Sequence, residues 1–228
     1  HPDLGRLAAA MGSPAEPWRG SLPAHAGSWA RLTRLDGHWT GLVFDGVEYF
    51  AIELAADVVR FAPGAAGLPA DATVIYRLAD ARVEGVSTEG DALTPDLDVL
   101  ARSLGEEADT PRTAAALDST KRLDVGLVLD PEQVDRFGGP ESARSNTLAR
   151  INIVDGLFVN QIGVHLQPDE PVLLGPADTT FTATRAGDLL EQLRDWRGSS
   201  SSNQSPRNGL THLFTGKDLD DNTVGIAY

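Results

Sequence analysis

The first half of the chain contains short runs in which apolar and polar residues alternate, a pattern typical of half-buried β-strands. One such stretch, SWARLTRLDGHWTGLVFDGVEYFAIEL, contains two Asp-Gly pairs, and these supply the positive φ angles that tight hairpin turns need. The pattern predicts successive strands over residues 28–35, 39–44 and 47–53, with a further strand-like run over 72–80. We expect their large apolar side chains to line one core, namely Trp29, Leu42, Phe44, Tyr49 and Ile52.

The alternation weakens over residues 86–120. This stretch mixes acidic residues, Ser, Thr and Pro, and its one short helical candidate covers residues 97–104. Such composition is typical of a linker. We therefore predict a β-rich region over residues 1–115, ending near Ala115, and a second domain over residues 121–228.

The second domain begins with an apolar, β-branched run over residues 122–130, which predicts a buried strand. A helix is predicted to follow, because Pro140 suits a first helical position and Glu141 suits the positive end of the helix dipole. Gly163 is a plausible end for this helix. The apolar residues that repeat at helical spacing within it are Leu148, Ile151, Val154, Leu157 and Phe158.

The remaining segments complete an α/β order. Residues 164–168 predict a second strand, residues 186–198 an amphipathic helix, residues 199–208 a polar loop, and residues 211–228 a closing hairpin with an acidic turn. The helix is expected to face inward through Leu189, Leu190, Leu193 and Trp196. The order β-α-β-α-β-β predicts a mostly parallel, twisted sheet with packed helices and an antiparallel edge strand. With the β-rich first domain, the fold class is α+β.

Composition narrows the range of partners. The formal net charge is −14, the chain has no cysteine, and no apolar run approaches the roughly 18 residues of a membrane span. An acidic surface repels phosphates and anionic lipid, so we expect no nucleic-acid partner. The lack of a long apolar run predicts no membrane span. The first residue is His1, from which we expect a trimmed N-terminus.

The chain shows no self-contained catalytic motif. It has no Gly-Xaa-Ser-Xaa-Gly elbow, no phosphate loop and no His-Glu-Xaa-Xaa-His pair. Asp218, Asp220 and Asn222 match the start of a calcium loop, but Thr223 stands where that loop needs glycine. An acidic turn is the better interpretation, and we assign no catalytic residue and no metal ligand within the chain.

Three stretches resemble the reprolysin-like, adamalysin-type zinc metallopeptidases of the metzincin group. They are KRLDVGLVLDPEQVDRFGG, NTLARINIVDGLFVNQIGVHLQ and GLTHLFTGKDLDDNTVGIAY, and together they extend over most of residues 121–228. The closing stretch matches most specifically, through Leu213, Thr215, Gly216, Asp218, Thr223, Val224, Gly225, Ile226 and Ala227. The helix matches more loosely, through Ile153, Val154, Asp155, Phe158 and Ile162. The first half also looks like the β-rich prodomain of these peptidases.

The resemblance implies a secreted or extracellular zinc metalloendopeptidase that hydrolyses proteins. The chain would supply the prodomain, which contacts the catalytic domain in cis, and the upstream half of that domain. The cofactor is zinc, held by a three-histidine helix that in this family follows the strand of residues 224–228, so the ligands would lie downstream of Tyr228. That strand pairs with the polypeptide substrate as an added β-strand, and Gly225, Ile226 and Ala227 would line the groove.

The resemblance has one clear departure and one competing interpretation. Many family prodomains silence the enzyme with a cysteine on zinc, and a chain without cysteine needs steric blocking or an oxygen ligand instead. The alternative is a non-enzymatic α/β binding or adhesion module behind a β-rich domain. A His-Glu-Xaa-Xaa-His motif a few tens of residues beyond Tyr228 in the parent gene would decide for the peptidase.

Overall fold

A computed structural model describes the residues in five parts of the chain, namely 16–59, 63–81, 121–204, 209–220 and 227. Within these ranges the N-terminal part forms an antiparallel five-stranded sheet, and the C-terminal part forms a parallel four-stranded sheet with helices. The predicted α+β class is therefore confirmed. The predicted linker over residues 86–120, with its boundary near Ala115, lies outside the described residues.

The N-terminal sheet is a meander in which each strand pairs with the next. Its strands are β1 (Glu16–Gly20), β2 (Trp29–Leu35), β3 (His38–Phe44), β4 (Tyr49–Leu54) and β5 (Thr73–Arg77), and a short helix α1 (Ala55–Val58) follows β4. The Asp-Gly pair between β2 and β3 adopts positive φ at both residues, 47° at Asp36 and 87° at Gly37. In the second pair only Gly46 has positive φ, 105°. The three predicted strands are confirmed, and so is the predicted turn at Asp36-Gly37.

One face of the N-terminal sheet packs against the rest of the protein, and the pairing register of the strands determines which side chains lie on that face. Trp29, Leu42 and Ala51 are buried there. Ala51 lies opposite Leu42 in the ladder, whereas Ile52 lies opposite Gly41. Because successive side chains point to opposite faces of a sheet, Ile52 lies on the other face, and its predicted place in this core is wrong.

The C-terminal part is built around one central strand. Its elements are β6 (Arg122–Leu129), α2 (Pro131–Arg136), α3 (Pro140–Ile162), β7 (His165–Pro168), β8 (Val172–Leu173), α4 (Ala186–Ser199) and β9 (Leu210–Phe214). All three other strands pair with β6 in parallel. The predicted strand–helix alternation is confirmed as far as β9, and α2 and β8 are elements that the sequence pattern does not predict. The last predicted strand, with its antiparallel edge, falls in residues 221–228, of which the structure describes only residue 227.

Helices cover both faces of the parallel sheet. Val125 and Leu127 of β6 pack against α3, while Val128, whose side chain points the other way, packs against α4. The helix α3 begins with Pro140 and ends at Gly163, whose φ of 68° is the left-handed conformation that glycine adopts at helix ends. No helix among the described residues has the length and apolar character that crossing a membrane requires.

The helix α3 lies between the two sheets. Leu148 and Ile151 face the parallel sheet, and Ile153 and Leu157 pack on the buried face of the N-terminal sheet around Trp29. The apolar stripe predicted for this helix is therefore divided between two cores. Its outer face contacts the N-terminal sheet, and Leu35 of β2 also packs against the core of the parallel sheet.

The polar segment after α4 is partly ordered by its own side chains. Residues Ser201–Gln204 form a short 3-10 helix, and the Asn203 amide donates to the backbone oxygen of Trp196 at 3.0 Å. Residues 205–208 lie outside the described part of the chain.

Candidate functional site

A buried carboxylate organises the turn that follows β9. Asp130, at the end of β6, is 0% exposed. Its Oδ1 accepts the backbone N–H groups of Gln133, at 2.8 Å, and Gly216, at 3.0 Å, and its Oδ2 accepts the hydroxyl of Thr215. The same side chain therefore caps α2 and holds the turn, so the position of the turn is set by the core strand β6.

The turn makes very close contact with the first residues of α2. A Cβ placed on Gly216 would lie 2.5 Å from the backbone nitrogen of Gln133, so no side chain fits there. The ammonium of Lys217 forms an ion pair with Glu132. The hydrogen bond from Lys217 holds the pKa of Glu132 below its ordinary value.

A second tie fixes the far end of the turn. The backbone N–H of Asp220 donates to the carbonyl of Thr184 at 3.0 Å, and the Thr184 hydroxyl donates to Asp220 Oδ2 at 3.1 Å. Residues 215–220 are thus held at both ends before the chain continues toward residue 228. The acidic residue Asp220 serves here as a hydrogen-bond acceptor for a neighbouring loop, which agrees with the interpretation of an acidic turn.

The strand β9 uses only one of its edges within the described ranges. It pairs with β6 from Leu210 to Phe214, and no other strand of the described chain pairs with it. Leu213 and Phe214 pack into the cores on either side of the sheet. His212 is exposed, with its ring centre 4.4 Å from that of Phe214. The second edge of β9 is therefore the place where a returning antiparallel strand would add.

The substrate-binding residues predicted from the sequence are only partly described. Gly225 and Ile226 lie outside the described residues. Ala227 is described, is exposed and belongs to no strand. The assignment of these three residues to a substrate groove stays a prediction.

The described residues do not fit a zinc site. Within the ranges that the structure describes, no group of three or more His, Asp or Glu side chains converges as a metal ion needs. His165 lies beside Asp155, with Nδ1 3.2 Å from Oδ1, and the His212 ring contacts the Phe214 ring in a tilted arrangement. No catalytic step through a metal is assigned to this part of the chain.

A buried ion cluster that the sequence analysis does not predict lies between the N-terminal sheet and α3. Arg19 of β1 and Arg31 of β2 are directly opposite each other in the ladder. Both approach Asp155 of α3, whose side chain is 2% exposed. The cluster therefore joins two arginines of one sheet to one carboxylate of the helix.

The two oxygens of Asp155 have different partners. Oδ1 accepts the backbone N–H of Leu166 at 2.9 Å and lies 3.2 Å from His165 Nδ1, both within its own domain. Oδ2 receives Arg31 Nε and Nη2, each at 3.4 Å, and Arg19 Nη2 at 3.2 Å. Burial lowers the pKa of Arg31, and the Asp155 charge opposes that shift; arginine stays protonated throughout the ordinary pH range.

A sequence signal for this cluster exists in strand β2. Trp29, Arg31 and Thr33 occupy alternate positions and are all buried, so the arginine stands on an inward face. A buried guanidinium needs a carboxylate or several acceptors. The alternation therefore indicates a missing partner, but the partner lies 124 residues away and nothing local identifies it.

Comparison with known proteins gives no relative. No protein-family model matches the chain, and no curated protein matches it. The function is therefore argued from the residues and their geometry.

Proposed function

We propose that this chain is the prodomain and the upstream half of the catalytic domain of a secreted zinc-dependent metalloendopeptidase that acts on proteins. The proposal starts from the resemblance of residues 121–228 to reprolysin-like peptidases. The observation that carries it is the anchored turn after β9, which lies next to a sheet edge without a described partner strand. In this proposal the zinc ligands follow Tyr228.

The geometry of the turn supports a role in presenting a substrate-pairing strand. Asp130 fixes the start of the turn and Thr184 fixes residue Asp220. We propose that residues 224–228 pair with the open edge of β9 when a substrate binds; of these residues the structure describes Ala227, which belongs to no strand. The outer edge of that added strand then has a row of backbone donors and acceptors for an extended polypeptide.

Small residues suit this proposed groove. Gly225 lacks a side chain, so a substrate backbone can approach it closely. Ile226 and Ala227 complete the short segment that we assign to substrate contact, and the exposure of Ala227 is compatible with this role. The chain contributes binding and alignment in this proposal, and no catalytic group is assigned to it.

The N-terminal sheet is the proposed prodomain. It covers the outer face of α3 through apolar contacts around Trp29 and through the Arg31–Asp155 pair. A chain without cysteine has no thiolate with which to block zinc. We propose that latency in the complete protein rests on the bound N-terminal sheet and the segment that follows it.

In the complete, processed enzyme, Gly225→Val is expected to lower kcat/KM for peptide substrates about 100-fold, because a β-branched side chain keeps the substrate backbone at a distance. Zinc content and thermal stability are expected to change little, because the proposal assigns Gly225 to a strand at the edge of the sheet rather than to a core. Peptide hydrolysis, metal analysis and thermal unfolding of the same preparations check this.

His212→Gln is the matched control, since His212 is on the neighbouring strand β9 and is exposed. It is expected to leave turnover and zinc content unchanged, with a small loss of stability because the ring contact with Phe214 is lost. Normal turnover in Gly225→Val, or loss of zinc in His212→Gln, would show that the groove is assigned wrongly.

A further inference from the structure

We propose that the outer face of α3 is a docking surface whose partner is the chain's own N-terminal sheet, and that the sheet stays bound as a separate piece after the chain is cut between residues 81 and 121. The docking surface consists of Asn152, Ile153, Asp155, Gly156 and Leu157. The inference does not depend on the proposed peptidase activity, because it concerns association alone.

The way in which the N-terminal sheet contacts the C-terminal part suggests that the two can exist as separate pieces. The two sheets have no shared strand in the described ranges, so side chains carry the contact between them. Each part also has a core of its own. Ala55, Val58 and Ala65 form a cluster within the N-terminal part, and Val128, Phe181 and Leu189 belong to one within the C-terminal part.

Charge complementarity gives the contact its specificity. The docking surface presents one carboxylate, Asp155, and the sheet presents Arg19 and Arg31 to its Oδ2 atom. The Oδ1 atom binds the Leu166 N–H inside the C-terminal domain. Asp155 is therefore already held in place by its own domain, with Oδ2 directed toward the sheet.

Shape and hydrogen bonds add to this complementarity. A Cβ on Gly156 would lie 2.6 Å from Arg31 Cγ and 2.7 Å from Trp29 Cζ3. Because Gly156 has no side chain, Arg31 and Trp29 of β2 can pack directly against the helix backbone at this position. One turn earlier, the Asn152 amide donates to the Leu32 carbonyl at 3.2 Å and to the Thr33 hydroxyl at 3.3 Å. The surface thus fits a strand that presents Trp, Arg and Thr at alternate positions.

The experiment cuts the folded chain and measures association. A recognition sequence for a site-specific protease is inserted after residue 115, the intact chain is purified and cut, and the pieces are analysed by size-exclusion chromatography at micromolar concentration. The wild-type pieces are expected to elute together at the position of the uncut chain. Separation of the wild-type pieces under these conditions would overturn the proposal.

Asp155→Asn tests the charge contribution. The asparagine oxygen can still accept the Leu166 N–H, while its NH2 group faces the two arginines without a negative charge. The dissociation constant of the cut complex is expected to rise about 100-fold, since buried guanidinium groups lose their counter-charge. An unchanged dissociation constant would contradict the assigned surface.

Gly156→Ala tests shape without changing charge, and it serves in place of Asp155→Asn if that variant does not fold. Gly187, in α4, is the matched control because a Cβ placed on it would have no heavy atom within 4 Å. Both substitutions replace a helical glycine by alanine, the better helix former. Gly156→Ala is expected to weaken association about 10-fold and Gly187→Ala to leave it unchanged, and equal effects of the two would overturn the proposal.

Discussion

Replacing Asp130 by alanine is expected to lower the free energy of unfolding by about 3 kcal/mol or more. The substitution removes a fully buried carboxylate and leaves the N–H groups of Gln133 and Gly216 and the hydroxyl of Thr215 without their acceptor. Hydrogen bonds to a charged group contribute roughly 1.5–3 kcal/mol each and do not add fully. Urea unfolding followed by circular dichroism measures the change.

Asp135→Ala is the control for this experiment. Asp135 is in the same helix, α2, but its side chain is exposed, and exposed substitutions usually change stability by less than about 0.5 kcal/mol. A loss below about 1 kcal/mol in Asp130→Ala would mean that the turn after β9 is held by other contacts.

The three charged residues between the sheet and α3 are expected to have unequal effects. Asp155→Asn should be the most destabilising, by about 3–5 kcal/mol, because it leaves two buried arginines without a counter-charge. Arg31→Met should cost less, about 2 kcal/mol, since Asp155 keeps Arg19. Arg19→Met should cost least, under about 1 kcal/mol, because the buried Arg31–Asp155 pair that remains is balanced in charge.

Urea unfolding of the three variants checks this order. Arg34→Met is the control on the same sheet, because Arg34 is in β2 and is exposed; it is expected to change stability little. If Arg19→Met destabilises the protein as much as Asp155→Asn does, the cluster is not organised around the single carboxylate.

Local sequence chemistry is sufficient to predict most elements. The Asp36-Gly37 turn needs positive φ at both positions, which this pair supplies at low cost. The helix α3 has a proline at its first turn and a left-handed glycine at its end, and both residues mark its bounds in the sequence. The turn and the two helix ends depend only on residues that are adjacent in the chain, so they can be predicted from the sequence.

The helix α2, which the pattern misses, has a readable signal. Asp130 is its N-cap and Pro131 its first residue, a combination that favours a helix start. In the sequence Pro131 is interpreted as the end of the preceding strand, and its role as the first residue of a helix is therefore missed. Because α2 is six residues long, it shows too little apolar periodicity to be recognised by pattern alone.

The error at Ile52 and the missed ion cluster have a different origin. The side-chain period of a strand is two, so predicting the strand without its register leaves the buried face undecided, and Ala51 rather than Ile52 faces inward. The pairing of Arg31 with Asp155 joins residues that are distant in the chain. It depends on how the sheet packs against α3, which no local pattern specifies.

The most direct measurement for the proposed function is hydrolysis of an unfolded protein such as casein by the complete protein after its processing. We predict cleavage that a zinc chelator abolishes and that added zinc restores, because the proposed enzyme depends on a bound zinc ion. Absence of cleavage in a folded, processed preparation, or cleavage that chelators do not affect, would contradict the proposal. Absence of cleavage would favour the non-enzymatic binding module.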